Sequence, residues 1–173
     1  MIFAPTNIHG IDYQIYLIQY YLESKMPNVW ACNKAVYGRC HETERSGTKR
    51  LEVNVNGKEY SEPFVNDKHS VVVGFRVLSR SVTNYKLTAT IDAIFTVNVF
   101  DALGTTDYND EKVLMQAYDL VNNCGLVRNI TDIKTGVDSV FSGLNVENIK
   151  HRDMAPMMVF AFTCEIDYTQ ELC

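Results

Sequence analysis

The residues of this chain best suited to metal or nucleophilic chemistry are four histidines, His9, His41, His69 and His151, and five cysteines, Cys32, Cys40, Cys124, Cys164 and Cys173. Their spacing assembles neither. No histidine stands four residues from a second ligand on a predicted helix. Cys32, Cys40 and His41 come nearest to a metal cluster. Cys40 and His41 are adjacent, however, and so point to opposite sides of a strand, whereas a structural zinc site needs four converging ligands. No metal and no cofactor is expected. For acyl transfer there is no G-x-S-x-G, and Ser142-Gly143 follows Phe141 rather than forming a nucleophile elbow. For phosphate there is no G-x-G-x-x-G and no G-K-[ST]. Cys32 or Cys40 makes a dyad with His41 or His151 only by free choice among scattered residues. No catalytic residue is assigned, and the chain is read as a non-enzyme.

Three carboxylates stand beside apolar residues: Asp12, Asp92 and Asp153. Asp92 falls mid-strand on a polar face, where solvation or a cross-strand Lys or Arg is expected. Asp153 follows Arg152 before Met154-Ala155-Pro156 and is expected to stabilise that turn. The basic residues Lys49, Arg50, Arg76, Arg80 and Lys86 fall near predicted strand ends, as a solvated patch or as salt-bridge partners for another subunit. Asn129-Ile130-Thr131 matches a glycosylation sequon, which means nothing without a secretory route.

Composition narrows the classes. A chain of 173 residues fits one domain with one core. No run of about 18 apolar residues exists to span a membrane. The opening M-I-F-A-P-T-N-I-H-G lacks a basic region and a long apolar region, so no secretory signal is expected. Sixteen Lys and Arg against 21 Asp and Glu give a net charge of −5, which disfavours binding DNA or RNA by phosphate neutralisation. A mildly acidic surface suits a passage that nucleic acid crosses without sticking. An odd cysteine number favours free thiols in a reducing compartment, with Cys124 and Cys164 as small core residues.

The elements follow from periodicity. Ile11, Ile15, Ile18 and Leu22 recur at helical spacing, with Tyr13, Tyr16, Tyr20 and Tyr21 around them, and predict a helix over 11–24 ended by Met26-Pro27-Asn28. A strand is expected over about 29–39, then a charged stretch ending in a Ser46-Gly47 turn. Leu51, Val53 and Val55 alternate before Asn56-Gly57, the pair preferred for a type I′ hairpin turn, with a return strand to Phe64. Two long strands follow, around 71–78 and 86–99. The second runs about 14 residues where about 5–6 is usual, so it should overhang a small domain or pair with another subunit. A second helix spans about 109–124, with Val113, Ala117, Leu120, Val121 and Cys124 inward and Gly125 as left-handed cap. Residues 127–150 look irregular and turn-rich, with room for one or two short strands. From Met157 to Tyr168 apolar and mixed residues alternate in a half-buried strand. The expected fold class is α+β: an N-terminal helix and a second helix on a mainly antiparallel sheet with long strands and a β-hairpin insertion at about 49–66.

This order of elements resembles the tail-terminator and head-to-tail joining proteins of tailed bacteriophages. The resemblance rests on the amphipathic helix from Ile11 to Leu22 running into a strand, on the helix from Asn109 to Cys124 after the longest strand, and on Met154-Ala155-Pro156 launching the closing strand. It covers residues 1–173 as a single domain. It implies a virion structural protein, assembled in the host cytoplasm, that forms a homo-oligomeric ring in the connector, neck or tail terminus. Its partners would be copies of itself and other neck, portal or tail rings. DNA would pass through without specific binding, and no membrane is involved. Candidate subunit contacts are Tyr13, Tyr16, Tyr20, Asn56, Gly57, Arg76 and Arg80. The alternative is a soluble domain holding a small apolar ligand.

Overall fold

The computed structural model describes residues 2–3, 9–55, 59–83 and 86–169. In chain order the elements are β1 (Ile2–Phe3), α1 (Ile11–Lys25), β2 (Lys34–Arg45), β3 (Thr48–Val55), β4 (Glu59–Ser61), β5 (Val71–Thr83), β6 (Lys86–Asn98), α2 (Val99–Leu103), α3 (Asp110–Asn122), β7 (Val127–Thr135), α4 (Val137–Val140) and β8 (Met157–Tyr168). Short 3-10 turns occupy Met26–Asn28, Pro63–Val65 and Glu147–Asp153. One sheet holds every strand in the order β4-β3-β2-β5-β6-β8-β7, with β1 beside β2. Only β1–β2 and β2–β5 run parallel. The class is α+β with a mainly antiparallel sheet, as the periodicities predict.

The helical layer forms because α1 and α3 each bury one apolar stripe. Ile11, Ile15, Ile18 and Leu22 from α1, and Val113, Ala117, Leu120 and Val121 from α3, lie against Phe75, Ile91, Phe95, Phe160 and Phe162 of the sheet, with Trp30 between. Trp30 keeps its indole N–H satisfied by donating to Gln116 Oε1 at 2.9 Å. Gln19 is fully buried on α1 and donates to the Val36 carbonyl at 2.7 Å, where the β2–β5 register becomes irregular between Val36 and Arg39.

The opposite sheet face carries a second core. Ala35, Tyr37, Val72, Ile94, Val159 and Ala161 are covered by Phe64, Val137, Val140, Phe141 and Ile149. The closing strand is therefore buried on both faces over its middle rather than half-buried. Asp153, expected to stabilise the Met154-Ala155-Pro156 turn, instead serves the start of α4, where both carboxylate oxygens accept from the Val137 N–H at 2.8 Å. Gly74 leaves room for this layer. A Cβ there would stand 2.9 Å from both Cys40 Sγ and Phe64 Cζ. Gly74→Val is expected to cost about 1–3 kcal/mol by overpacking, read as a lower denaturant midpoint at unchanged m.

Several boundaries differ from the periodicity. β2 starts at Lys34 and runs to Arg45, because the charged residues 41–45 pair antiparallel with β3. Their tight turn is Ser46-Gly47, with φ of 52° and 75°, the two left-handed positions of a primed hairpin turn. The β3–β4 hairpin also forms, pairing Val55 with Glu59, but Asn56 and Gly57 lie outside the described residues. α3 ends on Asn123, whose backbone N–H bonds Asp119 O, so Gly125 is not its left-handed cap. Residues 127–150 are ordered as β7, α4 and part of a 3-10 turn. A strand with two register shifts against β8 breaks the period of two that would have announced it.

Candidate functional site: an open strand edge

β6 does not expose the edge that its length suggests. β6 is paired from end to end, with β5 on one side and β8 on the other. The open edge belongs to β5. β2 accompanies β5 from Lys34 opposite Val71 to Cys40 opposite Arg76, and from His41 onward it turns to β3. β5 continues with β6 as far as Thr83 opposite Lys86. Residues 77–83 therefore have β6 on one side and, among the described residues, no strand on the other. An unpaired strand edge is a template for another strand. Leu78 is 40% exposed and Val82 69% exposed on this strip, which is a cost in water that a covering strand would remove.

The parting of β2 and β5 leaves a groove of about 420 Å³ lined by Arg39, Cys40, His41, Glu42 and residues 76–80. Its charges are largely matched within the chain. Arg39 Nε lies 3.2 Å from Asp12 Oδ1. Arg76 donates from Nε at 2.8 Å and meets Glu42 Oε1 through its terminal nitrogen at 2.6 Å. Arg80 has no ion-pair partner among the described residues. Burial, helped by the Arg39 charge, pushes the His41 imidazole below its ordinary range, against the opposite pull of Asp12. Burial pushes the Cys40 thiol up to about 12, with a backbone hydrogen bond at Phe75 opposing. A protonated thiol and paired guanidiniums make poor nucleophiles and bases. What the groove offers is a strip of backbone donors and acceptors between arginine side chains.

Cys164, in the main core, is pushed up to about 12 as well, by burial first and then by the Asp92 and Cys124 charges. Both thiols are thus raised in the folded state above their ordinary 9.0. A raised group contributes stability that is complete below its unfolded value and is lost as pH climbs toward the folded one. Stability is expected to hold to about pH 9 and to fall above it, and the fall should be shallower in Cys40→Ala/Cys164→Ala. Urea melts at a series of alkaline pH values check this.

The sheet ends in the three-residue β4 on one side and in β7 on the other, and the outer side of β7 is free among the described residues. Arg128, Asn129, Thr131, Asp132 and Thr135 are exposed on it, as is Ile133 at 45%. Lys134 instead turns inward and clasps the fully buried Asp92 with bonds of 2.8 and 3.0 Å, while Thr163 Oγ1 donates to the same carboxylate at 2.7 Å. Asp92 does have a cationic partner, as its strand position suggested. The partner comes from two strands away rather than from Arg76 directly opposite.

Of the residues chosen from sequence, Arg76 lines the groove at the fork and Arg80 lies on the open strip. Tyr13, Tyr16 and Tyr20 form a stripe on the outer side of α1, with Tyr13 41% and Tyr20 60% exposed and Tyr16 half-buried. The stripe starts beside the fork, since Asp12 is the partner of Arg39. The expected basic patch disperses: Arg50 pairs with Glu62 at 2.8 Å, Arg76 with Glu42, and Lys86 lies 3.8 Å from Asp167. Sequence reasoning missed the open strip, and it allowed only short strands where the nine-residue β7 runs. The adjacent Val77-Leu78, which breaks the alternation, was the available signal for the irregularity on β5, placed by the register between Val77 and Ser79.

No family model, no curated protein and no solved structure matches the chain.

Proposed function

We propose that this chain is a structural protein whose copies close into a ring, of the kind found in the neck or at the tail end of tailed bacteriophages. It would be assembled in the host cytoplasm and stacked in the virion on other neck, portal or tail rings, leaving a channel for the genome. One observation carries the reading: among the described residues, strip 77–83 of β5 is an open sheet edge with exposed apolar residues, on a domain with a packed core on each sheet face. A second free edge, β7, lies at the far side of the same sheet. Two different edges used head to tail give a heterologous contact, which closes into a ring when the rotation permits. The net charge of −5 suits a channel that lets DNA pass without holding it. The ligand-binding alternative has less support. The void under Leu51, Phe64, Phe141 and Ile149, rimmed by Arg50 and Glu62, measures about 30 Å³, and the larger cleft of about 920 Å³ is lined largely by polar groups such as Asn33, Ser70, Asp101 and Thr105, neither suited to an apolar ligand.

Native mass spectrometry and negative-stain images test the reading. A single closed multimer with a central hole is expected, and a monomer throughout the micromolar range overturns it. Leu78→Lys/Val82→Lys should leave the circular dichroism of the fold intact, because both side chains are exposed. Placing charge on an edge is how proteins prevent strand pairing, so the multimer should weaken at least about tenfold in dissociation constant, equivalent to about 1.4 kcal/mol. Sedimentation velocity reads that change.

A further inference from the structure

The open strip of β5 and the outer edge of β7 fit one another in a single register. We infer that strip 77–83 of β5 is completed by β7 of an adjoining copy, added antiparallel at the fork. This specifies the contact within the ring reading and rests on it.

Direction comes first. β5, β6, β8 and β7 succeed one another antiparallel, so β7 runs opposite to β5. Copies related by rotation about an axis along the strands keep that opposition, and an added β7 is antiparallel to the strip.

Faces come next, since paired residues must share a face. On β5, Val77, Arg80 and Val82 stand opposite Ile91, Ala89 and Leu87 and so face the helical layer, while Ser79 and Ser81 stand opposite Thr90 and Thr88 and face away. On β7, Ile130, Ile133 and Thr135 oppose Cys164, Phe162 and Phe160 and face the helical layer. Asp132 and Lys134 oppose Thr163 and Ala161 and face away.

The fork then sets the register. β2 occupies β5 as far as Arg76, so an incoming strand must stop at Val77. β7 ends at Thr135, and Gly136, with φ of 83°, turns the chain away. Thr135 opposite Val77 puts Lys134 opposite Ser79, Ile133 opposite Arg80, Asp132 opposite Ser81 and Ile130 opposite Val82. Every pair agrees in face. The apolar Ile130 covers exposed Val82. Lys134 stays on Asp92 of its own copy, Arg80 meets the apolar Ile133, and no like charges are opposed. Pairing two β5 strips about a two-fold axis does worse, because the register that sets Leu78 opposite Val82 sets Arg80 opposite Arg80, a destabilising like-charge pair.

The test is a cysteine pair in the full chain, with Cys32→Ser and Cys173→Ser removing competing thiols. Ser81→Cys/Asp132→Cys should give, under mild oxidation, a ladder of disulfide-linked multimers on non-reducing gels that collapses with reductant, and neither single cysteine should give it. A multimer in native mass spectrometry without that ladder overturns the β5–β7 contact and leaves the ring. A dimer from Asp132→Cys alone assigns the free edge of β7 to two-fold pairing with itself and also overturns it. A monomer at all concentrations overturns the contact and the ring together.

Discussion

Lys134→Met is expected to destabilise the fold by about 3–5 kcal/mol, the range for stripping a buried charge of its partner. Asp92 is 0% exposed. Without the ammonium its carboxylate keeps only the Thr163 hydroxyl, at 2.7 Å. The reverse change should cost less. Lys134 is 24% exposed at its side chain, so in Asp92→Asn the amine can turn to water, and the loss is that of charged hydrogen bonds, about 1.5–3 kcal/mol. Asp92→Leu/Lys134→Met should then cost well under the sum of its parts, because no lone charge stays buried. Chemical denaturation of the four proteins measures the series. Equal costs for Lys134→Met and Asp92→Asn would mean that the pair is not buried as described. The pair also fastens β7 to the centre of the sheet across β8, so Lys134→Met should speed amide exchange along β7 before the rest of the sheet.

Phe95→Ala should be as damaging, at about 3–5 kcal/mol. Phe95 is fully buried and is the hub of an aromatic cluster: stacked on Phe160 at 5.2 Å and 4°, edge-on to Phe162 at 5.8 Å and to Trp30 at 6.5 Å. These rings come from β6, β8 and the segment after α1, so the cavity would lie where sheet and helical layer meet. A domain of this size holds only about 5–15 kcal/mol in total. The variant should therefore show a sharply lower denaturant midpoint and poor soluble yield, whereas Phe95→Leu, which fills most of the space, should lose much less. A Phe95→Ala midpoint within error of the parent would contradict the packing.

Both experiments bear on elements that differ in how plainly the chain announces them. α1, α3, β6 and β8 are legible because each keeps one period over many residues. Ile11, Ile15, Ile18 and Leu22 are all buried as the helical spacing requires, and β8 occupies the stretch Met157–Tyr168 that alternation marks. β2 beyond Cys40 and β7 were obscure. Residues 41–45 are mostly charged and none is fully buried along the hairpin arm, so no apolar face imposes a pattern. β7 carries two register shifts, and each adds a residue that breaks the count. Of the chosen contact residues, Arg76 and Arg80 meet at one groove, while the tyrosines lie on another surface of α1.

Local patterning alone settled the class, the two main helices, the closing strand and the acidic balance, because burying an apolar stripe or an alternating face is a property of a single segment. Which edge stays open was decided only in three dimensions. It depends on where β2 leaves β5, past an irregular register between Val36 and Arg39 and before residues 41–45 pair with β3. A strand's partners are set by hydrogen bonds between distant segments, and backbone donors carry no side-chain identity for a linear text to display.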